Sequence, residues 1–298
     1  MIVAGIDAGG TSWKLIAARG PAHTLARTTI PTTTPDETIT AAADWINRLC
    51  REGCAVEAIG LASFGPIDRN PNSKTFGLIG ETPKAAWRGA NPLRALEAAT
   101  GVPCALDTDV NSALLAETTW GAGAGLSDVA YVTVGAGVGG AATVSGNLVG
   151  APSHAEFGHF RPARSAAEQQ AFTGACPYHG ACVEGLASAT AIEARWGAPP
   201  HALPDDHEAW TVVADILAQL CVSIAYLVAP QRIILGGGVM QRPILAPIIR
   251  TQFARLMNGY RVRTEADHAE TYIVAPGLGA DAGALGGVYL ALNAARRR

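Results

Sequence analysis

The sequence predicts an α/β protein built in two lobes, and three observations carry that prediction. Segments of strand character alternate with segments of helical periodicity along the chain. A strand, glycine turn, strand pattern occurs twice, first at IVAGID, AGGT, SWKLIAAR and again at DVAYVTV, GAGVGG, AATVSG. The length of 298 residues exceeds the usual size of one domain, which suits two lobes or one large α/β unit. The repetition suggests an internally duplicated protein with a cleft between its halves.

The opening strands IVAGID and SWKLIAAR are followed by a third, TLARTTI. A helix comes next: Thr34-Pro35-Asp36-Glu37 is a capping box with proline at the first helical position, and Ile39, Ala43, Ile46 and Cys50 fall on one face. Cys50 therefore reads as a buried small hydrophobe. EAIGLASF is a buried strand ending at Gly65-Pro66, and the Gly/Pro/Asn-rich segment 65–92 is too long for a plain connection, as functional loops are. A helix from Pro92 to Ala99, the strand VPCAL and a helix from Asp109 to Trp120 complete the first half. After the repeated turn, NLVG follows a hairpin-like Ser-Gly-Asn. Helices are expected at 184–195, 208–228 and 242–258, strands at RIILGG and TYIVAP, and a last helix from Asp281. The segment 197–207, GAPPHALPDDH, is a turn-rich connector, and the final RRR a solvated tail.

Composition excludes some classes of function. Hydrophobic residues make up 49% and charged residues 16%, yet no run is expected to supply the roughly 20 apolar residues of a membrane span. A net charge of -3 with no basic block argues against nucleic acid, since each neutralised phosphate needs a Lys or Arg. The N-terminus runs straight into a strand without the features of a leader, which places the protein in the cytoplasm. Structural disulfides are rare there, so Cys50, Cys54, Cys104, Cys176, Cys182 and Cys221 read as core packing, metal ligands or redox groups. Two of them bracket a histidine in the heptapeptide CPYHGAC, residues 176–182.

Three glycine turns stand out. Glycine lets a backbone bend through positive φ or approach a ligand, and successive amides in such turns make a nest for anions. IDAGGTSWK, from Ile6 to Lys14, suits a phosphate through Gly9, Gly10 and the hydroxyl of Thr11, with Asp7 placed to hold a Mg²⁺ ion bridging phosphate oxygens. A hairpin turn with Asp7 as a turn carboxylate fits the same residues. VTVGAGVGG supplies Thr133, Gly135, Gly137 and Gly139, but neither a P-loop nor a dinucleotide fingerprint. LGGGV, with Gly236 and Gly237, lies between a strand and a helix, where close backbone approach admits a nucleotide's sugar and base. In LDTDVNSALLAE, Asp109 stands where a strand ends and a helix begins and is the candidate general base; Asp107 or Asp109 as a plain helix cap is the competing reading.

Taken together, IDAGGT, ASFGPID, DTDVN, TVGAGVGG, HAEFGH, CPYHGACVEG and LGGGV resemble the ROK family of bacterial sugar kinases and repressors, and within it the fructokinase-like branch. The resemblance runs from residue 3 to about 287. It implies an actin-like, ribonuclease H-like fold of two lobes: residues 1–115 joined by the last helix at 281–298, and residues 116–280 carrying a zinc-binding loop at 154–185. It implies His159, Cys176, His179 and Cys182 as zinc ligands, a Cys₂His₂ set suited to closed tetrahedral coordination. A disulfide or redox pair between Cys176 and Cys182 is the competing reading. The same motif positions imply a sugar pocket made from Asp109, Asn111, Glu156, His159 and Glu184, with His154, Thr82, Lys84 and Trp87 as second-tier residues. His154 also reads as a surface loop residue, and Trp87 as core or lid packing. His23, His201, His207 and His268 are given no role.

The expected reaction is phosphoryl transfer from ATP to a hexose, D-fructose giving fructose 6-phosphate, with Asp109 accepting the proton of the 6-hydroxyl. Lys14 joins the first phosphate turn in this scheme. Glucose, mannose or an amino sugar remain open as acceptors. A sugar-sensing repressor would carry a helix-turn-helix domain before IDAGGT, where only Met1–Gly5 stand. A non-catalytic sugar-binding module is opposed by Asp109 and the phosphate turns. The apolar helices at 208–228 and 242–258 suit a homodimer, as in the family, or equally a buried core.

Overall fold

The computed structural model describes residues 1–260 and 263–296, without the Asp267 side chain, so Arg297 and Arg298 of the expected tail lie outside the described residues. The chain divides into two compact units. One comprises Met1–Gly121, Gly150–His154 and the segment from Asp281; the other comprises Ala122–Val149 and Ala155–Ala280.

The first unit holds strands β1 (Ile2–Ala8), β2 (Ser12–Ala18), β3 (Thr24–Pro31), β4 (Val56–Ser63) and β5 (Cys104–Thr108) in the order β3-β2-β1-β4-β5. The two hairpin neighbours are antiparallel and the β1, β4, β5 neighbours are parallel. Helix α1 (Pro35–Arg51) begins as the sequence predicts, with Glu37 N donating to Thr34 Oγ1 at 3.4 Å. Its inward face includes Ile39, Ala43 and Ile46, while Cys50 is only half-buried, a correction to its expected burial. Helices α2 (Pro92–Thr100) and α3 (Asp109–Trp120) follow.

The second unit repeats the plan. Strands β6 (Val129–Val134), β7 (Val138–Val144), β8 (Asn147–Leu148), β9 (Arg232–Gly236) and β10 (Ile273–Val274) lie in the order β10-β9-β6-β7-β8. Read by position in each half, this is the strand order of the first unit. The same sequence of antiparallel and parallel neighbours recurs. The duplication suggested by two glycine turns is therefore carried by both sheets.

The helices of this unit are α4 (Ala166–Ala171), α5 (Val183–Ala187), α6 (Ala189–Trp196), α7 (Ala209–Leu227), α8 (Leu245–Met257) and α9 (Ala269–Tyr272). The single helix expected at 184–195 is two: Ser188 is extended at φ -68°, ψ 161°, and its hydroxyl accepts from Ala191 N at 3.1 Å to start α6. The strand expected at TYIVAP shrinks to two residues because Tyr272 ends α9. One expectation is overturned. Helix α7, 19 residues with a mean hydropathy of 1.7, is long and apolar enough by length and composition to cross a membrane. Its apolarity has another cause: Trp210, Val213, Ala214, Leu217, Cys221 and Ile224 are buried in the core of this unit.

Helix α10 (Ala282–Arg296) belongs to the first unit and lies directly on its sheet. A Cβ at Gly60 of β4 would stand 1.9 Å from the Gly287 carbonyl oxygen, so only glycine permits this approach of helix to strand.

Candidate active site and metal centre

In the first unit the turn Gly9–Thr11 joins β1 to β2, which places Asp7 and Lys14 opposite each other across the two strands. Burial pushes the Asp7 carboxyl above its ordinary range, and the Lys14 ammonium pulls it back in part. The amide of Gly9 closes the turn by donating to Ser12 O at 3.1 Å, so that donor is spent inside the turn. Lys84, a second-tier residue in the sequence, has its Cε 3.2 Å from where a Cβ on Gly10 would stand. The structure thus brings Lys84 to this turn.

Asp109 occupies the first position of α3, half-buried, with Oδ1 accepting from Val110 N at 2.8 Å. The capping role belongs to neither aspartate: Thr108 is the N-cap, its hydroxyl accepting from Asn111 N at 3.1 Å. Asp107 instead forms the centre of a buried network. Its Oδ2 accepts from Arg69 Nη2 at 2.7 Å, and its Oδ1 accepts from Asn111 Nδ2 at 2.7 Å and from Thr108 N at 2.7 Å. Arg69 Nη1 also donates to Ser153 O at 2.6 Å. Sequence reasoning missed Arg69, although an arginine directly after GPID in a long loop was a visible signal. Trp87 is core: it is buried, packs on Trp13 and Phe64, and donates from Nε1 to Thr33 O at 2.8 Å. Thr82 is buried, and its carbonyl accepts from Arg88 Nε at 2.8 Å. His154 lies beside Gly65, with Nε2 3.8 Å from where a Cβ on that glycine would stand.

In the second unit the turn between β6 and β7 is held from three sides. Gly135 N donates to Gly137 O at 2.8 Å, Ala189 N donates to Gly135 O at 2.8 Å, and the Thr190 hydroxyl donates to Ala136 O at 2.8 Å. Glu184, expected in the sugar pocket, accepts from Val138 N through Oε2 at 3.0 Å. A Cβ on Gly137 would stand 2.5 Å from that same oxygen, so the glycine makes room for the carboxylate. Thr133 lies at the end of β6, opposite Gly139 on one side and Gly236 on the other.

A cavity of ≈ 510 Å³ opens beside this turn. Gly135, Ala136 and Ala189 line one part, and Gly238, Gln241 and His201 another. Its size falls in the range of small-ligand sites, about 300–1,000 Å³. The third glycine turn contributes Gly238 to the wall, whereas Gly237 has φ +94° and packs under Val134, and Gly236 is confined by Tyr131 and Pro276.

His159, Cys176, His179 and Cys182 converge, with their ligand atoms all within 4.8 Å of one another. Cys176 Sγ is 3.9 Å from His159 Nδ1 and 3.7 Å from His179 Nδ1; the two Nδ1 atoms are 3.2 Å apart, and Cys182 Sγ is 3.6 Å from His159 Nδ1. Tetrahedral zinc with ordinary Zn–S and Zn–N bonds would set these edges at about 3.6 Å for S to N and about 3.3 Å for N to N. The donor set therefore fits that ion in both chemistry and spacing. Cys176 and Cys182 are free thiols, which sets aside the disulfide reading. Burial pushes the Cys182 thiol up to about 11, so a thiolate there needs the counter-charge a metal supplies. The other ring nitrogen of His159, Nε2, lies 4.0 Å from Glu156 Oε2. A reciprocal pair of backbone bonds between Cys176 and Gly180, at 3.2 and 2.9 Å, folds the heptapeptide back so that His179 faces His159.

Asp7, Lys14, Asp109 and Asn111 thus belong to the first unit, and Glu156, His159, Glu184 and the other two glycine turns to the second. Residues 3–294 match the ROK family. The chain is 39% identical over 292 residues to a fructokinase of Zymomonas mobilis, covering 97% of this chain and 96% of the relative. It is 37% identical over 291 residues to a fructokinase of Pediococcus pentosaceus, covering 98% of each. Among solved structures it is similar to a ROK family glucokinase from Streptomyces griseus in complex with glucose and AMPPNP, with TM-score 0.79, 25% identity, and coverage of 98% of this chain and 100% of that one. A ROK hexokinase from Thermus thermophilus matches with TM-score 0.77 and 26% identity over 100% of both chains.

Proposed function

The chain belongs to the ROK family, and on that premise we propose that it is an ATP-dependent fructokinase, transferring the γ-phosphoryl group of ATP to D-fructose to give ADP and fructose 6-phosphate. Its α/β architecture is the actin-like, ribonuclease H-like one that the sequence predicts. The observation that carries the substrate is the near full-length likeness to fructokinases.

Asp109 is the catalytic carboxylate. It accepts the proton of the 6-hydroxyl as that oxygen attacks the γ-phosphorus and the bond to the β,γ-bridging oxygen breaks, with ADP leaving. Because such transition states are loose, the larger part of its work is orienting the hydroxyl. Asn111, fixed by Asp107, faces its amide to a sugar hydroxyl, and Glu156, His159 and Glu184 supply the remaining acceptors and donors for the ring. A hexose needs this density of polar groups, since each hydroxyl buried without a partner costs about 1–3 kcal/mol.

Gly10, Thr11 and Lys14 of the first turn and the Gly135–Gly137 turn hold the phosphates, and the cavity beside Gly135 and Gly238 holds the nucleoside. Asp7 is the residue that would hold Mg²⁺; the ion, when bound, neutralises phosphate charge. Its half-buried, destabilised carboxylate supports that assignment, because a cation offsets the desolvation. His159, Cys176, His179 and Cys182 are the residues that would hold a structural zinc ion, which would cross-link the heptapeptide to His159. The protein acts in the cytoplasm as a homodimer; exposed Tyr226, Leu227 and Tyr260 at the ends of α7 and α8 suit burial against a second copy.

The reading is tested by ADP release with fructose, glucose, mannose and amino sugars as acceptors. Fructose must give the highest kcat/KM. Preference for glucose would favour the second reading, which the likeness to a glucose-bound glucokinase supports; no ADP release with any hexose would overturn the kinase.

A further inference from the structure

The connector Pro200–Asp205 is stapled to the link between β9 and α8 by one side chain. Arg242 Nη2 donates to Pro200 O at 2.8 Å and to Leu203 O at 2.7 Å, Nη1 pairs with Asp205, and the guanidinium lies 4.3 Å over the Trp210 ring. Trp210 adds its own bond, from Nε1 to Pro204 O at 2.7 Å. Apart from these anchors the segment is held by Leu203, buried in the core of this unit, and it forms one turn of 3-10 helix, Pro200–Ala202, and no other element. The same segment supplies Pro200 and His201 to the wall of the ≈ 510 Å³ cavity, and Arg242 lines it too.

Arg242 is not placed as a phosphate ligand. Both terminal nitrogens of its guanidinium are engaged with the connector, and its side chain is only 16% exposed. We propose that Arg242 is a positioning residue for the nucleotide, fixing the Pro200–Asp205 connector so that Pro200 and His201 form the base-binding wall of the cavity. The proposal rests on the cavity's being the nucleoside site. The imidazole face of His201 with the apolar ring of Pro200 beside it suits a purine, and stacking on an aromatic face tolerates many bases but contributes nothing to a donor lacking one. The wall therefore selects nucleoside triphosphate over base-free polyphosphate.

The contributions within the staple are unequal. Asp205 is 66% exposed, so its ion pair is solvent-screened and contributes little. The two carbonyl bonds and the stack are the anchors, and lysine, a point charge on a flexible stem, cannot reproduce them.

The test combines calorimetry with ADP and kinetics with inorganic tripolyphosphate as a base-free competitor of ATP. In Arg242→Ala the ADP Kd and the ATP KM should each rise about tenfold, as for loss of one stacking contact. The KM for fructose, the kcat at saturating ATP and the tripolyphosphate Ki should stay as in the wild type. Arg242→Lys should behave like alanine, and Asp205→Asn like the wild type. If Arg242→Ala does not fold, His201→Ala, a change at an exposed side chain, must raise the ADP Kd with the tripolyphosphate Ki unchanged. Unchanged ADP affinity in the folded variants overturns the proposal, as does a tripolyphosphate Ki that rises together with the ATP KM. Wild-type protein that binds ADP but transfers no phosphate overturns the functional reading instead, and the ADP titration still decides this one.

Discussion

Arg69 and Asp107 form an ion pair at 2.7 Å with side chains only 12% and 8% exposed, and the second oxygen of the same carboxylate holds the amide of Asn111. The pair therefore does two things: it gives each buried charge its partner, and through Asp107 it fixes Asn111, the residue proposed for the sugar pocket. Removing one partner of such a pair strands the other, at a cost of about 3–5 kcal/mol. Arg69→Met should lower the urea midpoint accordingly and raise the KM for fructose while leaving that for ATP unchanged. A variant of wild-type stability would show that the pair contributes nothing net.

Gly137→Ala places a Cβ 2.5 Å from Glu184 Oε2 and must displace the carboxylate from Val138 N. The turn between β6 and β7 and the carboxylate of Glu184, proposed for the sugar pocket, should be disturbed together. Steady-state kinetics should show higher KM values for both ATP and fructose, with kcat/KM down about tenfold or more. A rise confined to one substrate would mean that the carboxylate and the turn act separately.

The Asp7 carboxyl binds its proton more tightly folded than unfolded, because burial raises it. Protonation therefore favours the folded state. The stability this gives is complete below the unfolded value near 4 and is lost as pH rises through the folded value. Asp7→Asn removes the penalty, so its stability advantage over the wild type should widen from acid to neutral pH in denaturation curves, even as Mg²⁺-dependent activity falls. An advantage that shrinks as pH rises would refute this sign.

Zinc should copurify at one ion per chain, measured by plasma emission. Chelation should lower the thermal midpoint, since a ligand present at 100 times its Kd stabilises by about 2.7 kcal/mol. Cys182→Ser should lose both the metal and the chelator response. A Cys182→Ser variant that retains one zinc per chain would exclude this set of ligands.

What was legible in the sequence was local. The capping box at Thr34 and the strand-to-helix join at Asp109 are each written within a few residues, and both elements start where those signals stand. The glycine turns repeat visibly, which exposed the duplication. The break at Ser188 was missed because the helical pattern runs through it, though a serine three residues before Ala191 is an N-cap signal. The burial of α7 stood in the sequence only as one of two equal readings, core or homodimer surface, since an apolar helix of that composition fits either. Long-range partnerships were invisible in principle. Arg69 meets Asp107 only because β4 and β5 are neighbours, and Arg242 meets Pro200 only because the second unit folds the connector back on the start of α8.

The most direct test of the central claim, that Asp109 serves phosphoryl transfer to fructose, is formation of fructose 6-phosphate from ATP and fructose by wild type and Asp109→Asn. Steady product is expected from the wild type and a kcat lowered about 10²–10⁴-fold in the variant, with its zinc content and thermal midpoint retained. Turnover near the wild-type rate in Asp109→Asn would contradict it.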